Sequence, residues 1–324
     1  MTGCGGRGEK IRLGISACLL GERVRYDAGH KLDRFLRDTL GRYVEWAPVC
    51  PEVEYGLSVP REPLQLVGDP AAPRLVGVSS GRDHTEGMQA WARRKLALLE
   101  KGELCGFVFK SKSPSSGMRG VKISSPTGIR RGAGLFAGAC MKRFPLLPVE
   151  DDERLHDPAL RENFIERVFV FKRWGELVRR GASVRQLADF HADHALLLLS
   201  HSAKAYAALG KLVAAAQGRR TGQLTKQLYE EYGGGLMEGL KPLATPAKNT
   251  AVLRRLAGFL KKRLTADEKR ELQESIARYR AGLLPLIVPL VMLRHYARKF
   301  DEPCLQRQLY LHPHPLELML RNHA

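Results

Sequence analysis

The chain has 324 residues, 44% hydrophobic and 27% charged, a balance that excludes a disordered polymer and leaves room for two domains of ordinary size. Its formal net charge of +19 is shared by both halves rather than gathered in a tail, which favours a polyanionic partner over a neutral or acidic one. Six scattered cysteines exclude a dense disulfide framework, and the most apolar stretch, Ala281 to Leu293, is too short to span a bilayer and contains Pro285 and Pro289; with no apolar signal core in MTGCGGRGEK, a cytoplasmic protein with reduced thiols and no membrane partner is expected.

Residues 1–9 read as a flexible tail. Ile11–Ser16 reads as a buried strand, Lys31–Leu40 as a helix by its apolar spacing, and Tyr43–Val49 as a second strand. Val59–Arg74, rich in Pro and Gly, reads as a loop near a ligand crevice. His84–Lys101 reads as an amphipathic helix starting near Asp83, Gly106–Lys110 as a third strand, and Gly132–Phe144 as a further helix. Strands alternating with helices predict an α/β parallel-sheet domain over 10–150. Pro145–Asp157, with two prolines and the acidic patch Glu150–Glu153, is the expected boundary. From residue 158 to 324 the pattern is all-α, with helices expected over Arg161–Arg180, Val184–Ala215, Leu224–Leu240, Lys248–Arg263 and Ala266–Lys299. Its prolines split or kink the last of these. Asn249 or Thr250 is expected to cap one helix and Thr265 another.

Three segments follow the three strands and would meet at the carboxyl end of a parallel sheet, where such folds bind ligands. Cys18 stands in GISACLLG, Cys50 in VCPEVEYGL and Ser116 in KSKSPSSGM. A cysteine at a strand-to-helix turn meets the helix N-terminus, which favours its thiolate; a small buried apolar residue is the plainer alternative. Pro51 restrains the turn after Cys50, and Glu52 sets a carboxylate beside the thiol. The polar turn Lys110–Gly117 offers hydroxyls and backbone N–H groups to a phosphate or a base edge, with Lys110 and Lys112 after the strand, or is an ordinary surface turn.

In order and spacing, SACLLGERVRYDAGHK, CPEVEYGLSVPRE and FKSKSPSSGM resemble the thiouracil desulfurase family. The second half, with FHADHALLLLSHSAKAY and LYLHPHPLELMLRNH, resembles the YbgA-like helical domain often fused to it, and the combination resembles the bacterial tRNA 4-thiouridine desulfidases. The resemblance runs from about Lys10 onward. It implies a 4Fe-4S cluster held by three ligands with one iron open, Cys18 and Cys50 matching the first two. The third is usually a cysteine in SPSCG, and Ser116 occupies that position here. Glu52 and Ser113 match the polar residues beside the substrate. The implied reaction is non-redox: the open iron takes the thiocarbonyl sulfur, water activated by Glu52 attacks the carbon, and thiolated uridine in tRNA becomes uridine and hydrosulfide. The helical domain is the expected RNA-binding part, and the target base has to be flipped out of folded RNA.

Ser116 leaves three cases open: ligation of iron through oxygen, completion of the site by Glu52 or water, and loss of the cluster in a non-catalytic nucleic-acid-binding relative. Desulfuration of free thiouracil is a further alternative to the tRNA reaction. Cys105 precedes the strand whose far end leads to Ser116, about 15 Å or more away at roughly 3.3 Å per residue, which makes it a core residue rather than a ligand. Cys140 is expected to pack on a helix, Cys304 to pack in the second domain, and Cys4 to have nothing that positions it. His191 and His194, with His201 further along, have a spacing open to a metal pair, but no third ligand is identifiable and a structural or RNA-facing role is favoured. Arg294, Arg298 and Lys299, with His295 and Tyr296 between them, form a phosphate-contact patch or a solvated helix end.

Overall fold

In the computed structural model, which describes residues 11–181, 183–218, 225–315, 318 and 320–322, two units divide between Asp157 and Pro158. Cys4 and the tail expected over 1–9 lie outside the described residues. The first unit is built on β1 (Ile11–Ser16), which runs parallel to β2 (Val44–Val49) on one side, Leu13 opposite Trp46. Between them, Lys31–Leu40 is not the expected α-helix: it holds a widened π turn at Phe35–Thr39 and a 3₁₀ turn at Leu40–Arg42. Asp33 caps the segment, its carboxylate accepting the Leu36 N–H and its carbonyl the Arg37 N–H, and beyond that first turn the ladder widens rather than continuing as a regular α-helix. After β2 come the short helix α1 (Pro51–Tyr55) and two strands, β3 (Leu64–Val67) and β4 (Arg74–Gly77).

The long helix α2 (Thr85–Lys101) begins where Asp83 accepts the Thr85 N–H and leads into β5 (Gly106–Phe109), parallel to β1. All four residues of β5 are buried, and Phe107 and Phe109 stack at 4.2 Å. Gly14 makes room for them, since a Cβ there would lie 2.1 Å from the Phe107 ring. The chain then forms the hairpin β6 (Val121–Ser125) and β7 (Gly128–Gly132), the helix α3 (Leu135–Arg143) and the last strand, β8 (Val149–Asp151), parallel to β5. The main sheet has the order β2-β1-β5-β8 with every pair parallel; a second, mixed sheet has the order β4-β3-β6-β7.

The second sheet departs from the sequence expectation, which read Val59–Arg74 as loop and began a helix at Gly132. Its strands are four or five residues long and β7 is largely exposed, so the apolar alternation that marks a half-buried strand is weak. The acidic patch at Glu150 also reads differently in place. Glu150 and Asp151 are buried on β8, and Arg119 pairs with both, at 2.5 and 3.3 Å. The division between units falls at the far end of the stretch expected as the boundary.

The second unit is all-α: α4 (Pro158–Arg179), α5 (Val184–His201), α6 (Ala203–Gln217), α7 (Lys226–Gly239), α8 (Pro246–Leu260), α9 (Ala266–Arg280) and α10 (Ile287–Lys299). Leu187, Tyr232, Leu236, Leu253, Leu290 and Tyr310 are among its buried core. The single helix expected over Val184–Ala215 is broken at Ser202, whose backbone is extended and whose hydroxyl caps α6 by accepting the Ala205 N–H. Apolar spacing continues through the break, which hides it from periodicity. Thr265 caps α9 in a capping box with Glu268, as expected. Asn249 and Thr250 cap nothing: Thr245 caps α8 with Pro246 in its first turn, while Asn249 is buried between the hydroxyls of Tyr279 and Tyr310. No helix among the described residues is long and apolar enough to cross a membrane.

Candidate functional site

At the carboxyl ends of β1, β2 and β5 the first unit holds a cavity of about 630 Å³, and Cys18, Cys50, Glu52, Lys110, Ser113 and Ser116 all line it. Each arrives by a short local device. Beyond β1, Cys18 lies in a 3₁₀ turn, Ala17–Leu20, that Gly21 closes in the left-handed region at φ 97°. Cys50 stands just before α1, whose first residue is Pro51, a position that asks for no N–H. Ser113 and Ser116 lie in the turn after β5. The Ser113 hydroxyl oxygen accepts the N–H groups of Ser115 and Ser116 at 3.3 and 3.0 Å, which leaves its own proton to be donated elsewhere.

That turn is clamped from below by α3. The Leu135 N–H donates to the Pro114 carbonyl, those of Phe136 and Ala137 donate to the Ser115 carbonyl, and the Gly134 N–H donates to the Gly117 carbonyl at 2.7 Å. The first N–H groups of a helix need partners outside it, and here the serine turn supplies them.

Burial dominates the electrostatics of the two thiols. It pushes Cys18 up to about 11, with Glu52 and Asp152 adding to the rise and Lys110 and Arg25 opposing it. Cys50 is pushed up to about 12 by burial and by the neighbouring Glu52 carboxylate. Of the two readings of Cys18, burial favours the plainer one over the activated thiolate: both groups hold their protons at neutral pH. A metal that takes them as thiolates has to displace those protons. Glu52 Oε2 is 3.6 Å from Cys50 Sγ, and Arg61 reaches to 4.0 Å of the same oxygen. The guanidinium of Arg61 also donates to the Val24 carbonyl at 3.0 Å and the Ser58 carbonyl at 3.1 Å, so it braces the wall behind Glu52.

Lys110 donates to Asp152 at 2.8 Å and to the Ser111 hydroxyl at 2.7 Å, and Lys112 pairs with Glu153 at 2.8 Å. Both lysines assigned to nucleic acid from the sequence are thus paired with carboxylates from the end of β8. Cys105 and Cys140 are buried away from this cavity's wall, Cys140 wholly so on α3. Cys304, expected to pack in the second domain, is exposed: it lies on the one-turn helix Pro303–Gln306, which buries Leu305 instead. Arg25, Tyr26, Lys31, Arg61 and Asp152 also line the cavity and were not singled out from the sequence: the first four lie further along the segments after the first two strands, and Asp152 in the acidic patch, where no local signal marks them as cavity residues.

In the helical unit the three histidines do not converge. His191 Nδ1 lies 3.1 Å from the Tyr232 hydroxyl. His194 stacks on Phe190 and bonds its carbonyl, and burial pushes it down to about 3. His201 lies between Glu166 Oε2 and the Pro242 carbonyl, at 3.0 and 2.8 Å. Glu166 and Glu162, one turn apart on α4, both pair with the buried Arg321 at 2.6 and 2.8 Å, and His314 lies close to the two carboxylates. This network is an ionic tie between α4 and the end of the chain. Arg294 and Arg298 line a separate cavity of about 770 Å³ with His295 and His312; Arg294 donates to the Leu311 carbonyl, Arg298 is exposed, and Lys299 is bound to Glu268 at 2.6 Å.

Residues 13–152 match the family model described as 2-thiouracil desulfurase, and residues 196–315 match one described as a protein of unknown function, DUF1722. The chain is 28% identical to the uncharacterized protein YbgA of Escherichia coli (strain K12) over 48% of its own length and 90% of that protein's. It is 31% identical to the uncharacterized protein YbbK of Bacillus subtilis (strain 168) over 32% of its own length and 71% of that protein's. Among solved structures, the [4Fe-4S]-dependent thiouracil desulfidase TudS is similar at 29% identity, with a TM-score of 0.38, over 46% of this chain and 95% of that one. With its first unit matched almost end to end and a DUF1722 region following, the chain belongs to the 2-thiouracil desulfurase family.

Proposed function

We propose that the chain is an iron–sulfur-dependent desulfidase that converts thiolated uracil to uracil without net electron transfer, and that its substrate is 4-thiouridine in tRNA. The observation that carries this reading is the meeting of Cys18, Cys50, Ser116, Glu52 and Ser113 on one cavity at the carboxyl end of the parallel sheet. Two thiols and a hydroxyl lining one wall support a cluster site there, though in chemistry the set is one soft sulfur short. Cys18 and Cys50 would hold the cluster, with Ser116 the third ligand through oxygen. When bound, the cluster supplies an open iron that accepts the thiocarbonyl sulfur as a Lewis acid.

The chain's own residues do the rest. Glu52, braced by Arg61, takes a proton from the attacking water, whose oxygen replaces sulfur at the ring carbon while hydrosulfide departs. The Ser113 hydroxyl, with its oxygen already accepting two backbone N–H groups, donates its proton toward the substrate. The net charge of +19 and the exposed Arg298 support RNA as the partner, with phosphate contacts carrying the affinity. A second reading, a nucleic-acid-binding relative without catalysis, is favoured by Ser116 alone. Desulfuration of free thiouracil is the third.

Anaerobically reconstituted protein, incubated with thiolated tRNA, distinguishes them. Loss of thiouridine with release of hydrosulfide is expected. Tight, salt-sensitive tRNA binding without sulfur loss would favour the second reading, and turnover of free thiouracil only would favour the third.

A further inference from the structure

Among the described residues, Tyr26 is the one aromatic side chain in the wall of the 630 Å³ cavity, and it is 42% exposed. A large aromatic ring left in water on the rim of a reaction cavity is unspent apolar surface, and it has a flat face to offer. Nor is it loose. The Arg25 N–H donates to the Gly29 carbonyl and the Ala28 N–H to the Arg25 carbonyl, closing a tight turn around Tyr26. Asp27 Oδ1 accepts the Gly29 N–H at 3.0 Å and pairs with Arg25 at 3.4 Å. The Arg61 N–H donates to the Tyr26 carbonyl at 3.0 Å, and the Arg61 side chain reaches Glu52. One arginine thus joins the turn that holds the ring to the carboxylate assigned as base. The Arg25 guanidinium lies 5.3 Å from the centroid of the Tyr26 ring, which sets a cation against one face, so that a stacked planar ligand would take the other.

We propose that Tyr26 is the stacking platform for the pyrimidine ring of the substrate, a positioning residue that sets the ring's plane relative to Cys18, Cys50 and Glu52. The ligand class is a pyrimidine nucleobase carried on a nucleoside or a nucleotide. The ring provides affinity through its face and is indifferent to the exocyclic atom, so it holds thiolated and oxygenated pyrimidines alike and leaves discrimination of sulfur to the far end of the cavity. Lys31 lines the same cavity beside the turn and offers a cation to a phosphate attached to such a nucleoside.

This inference rests on the desulfidase reading for its substrate but is tested apart from turnover. Equilibrium dialysis of the full-length protein against uridine and 4-thiouridine, with iron content and circular dichroism matched between variants, reads binding alone. Tyr26→Ala is expected to weaken both ligands by roughly ten-fold or more, the loss of one base–aromatic stack. Tyr26→Leu, which keeps bulk without a π face, should fall with Ala, and Tyr26→Phe should restore binding; the Leu and Phe pair decides the matter should the Ala variant fold poorly. In turnover the same loss should appear in KM with kcat largely kept. Binding and KM unchanged in Tyr26→Ala, while hydrosulfide is still released, would overturn the platform and leave the desulfidase reading standing. Tyr26-dependent binding with no hydrosulfide released by the wild type would do the reverse.

Discussion

Gly134→Ala tests how the serine turn is held. Gly134 has φ −65° and ψ 154°, a conformation open to any residue, so backbone freedom is not what requires glycine there. Space is: a Cβ would sit 2.6 Å from the carbonyl carbon and oxygen of Ser115 and 2.8 Å from the Pro114 oxygen. These are backbone atoms that already accept the N–H groups of Leu135, Phe136 and Ala137, so relief means lifting the turn off α3. Overpacking of this kind costs about 1–3 kcal/mol. Weakening two of the clamping hydrogen bonds adds roughly 1 kcal/mol each. A total of about 3–5 kcal/mol lowers the Tm of a unit of this size by about 6–20 °C. Calorimetry on the full chain measures it, with Gly138→Ala as the control. Gly138 lies inside the same helix, where an added Cβ makes only an ordinary contact with Ala133 at 3.7 Å, and alanine there should stabilise by up to about 1 kcal/mol. A Gly134→Ala protein that melts with the wild type, or a Gly138→Ala protein that falls with it, refutes the clamp. Iron retention should drop in Gly134→Ala alone, because Ser116 rides on the displaced turn.

Ser116→Cys restores a soft third ligand and should raise the iron and acid-labile sulfide left after a chelator wash; unchanged retention would count against Ser116 as a ligand position. Arg321→Met removes the guanidinium that Glu162 and Glu166 share and should cost about 3–5 kcal/mol in denaturant unfolding at neutral pH, part of it recovered by adding Glu166→Gln. His194 adds a pH dependence: its ordinary value is 6.5 and burial holds it near 3 in the fold. Between those values the unfolded chain binds a proton that the folded one refuses, so its contribution is complete above pH 6.5 and is lost as pH falls toward 3. At roughly 1.4 kcal/mol per pH unit the loss reaches about 2 kcal/mol by pH 5. Urea unfolding at pH 7 and pH 5 should show a smaller difference for His194→Leu than for the wild type, and equal differences would refute the assignment.

The candidate site was legible where it is local. Ile11–Ser16, Tyr43–Val49 and Gly106–Lys110 are apolar runs ended by Cys18, Cys50 and the serine turn, and parallel strands deliver their carboxyl ends to one side by topology. The order of an α/β part and an all-α part was legible for the same reason, since each is a repeating period. Whatever depends on distant segments was not. β8 enters the sheet through pairing with β5 and brings Asp152 to Lys110, and Arg61 reaches Glu52 from a segment that reads as loop. The cysteine thiols show the difference most directly. Sequence alone determined that two of them follow strands and that a serine stands third. Only the tertiary structure decided that they are buried, hold their protons and share a wall with Tyr26, because desolvation and proximity come from chain segments that no local period encodes.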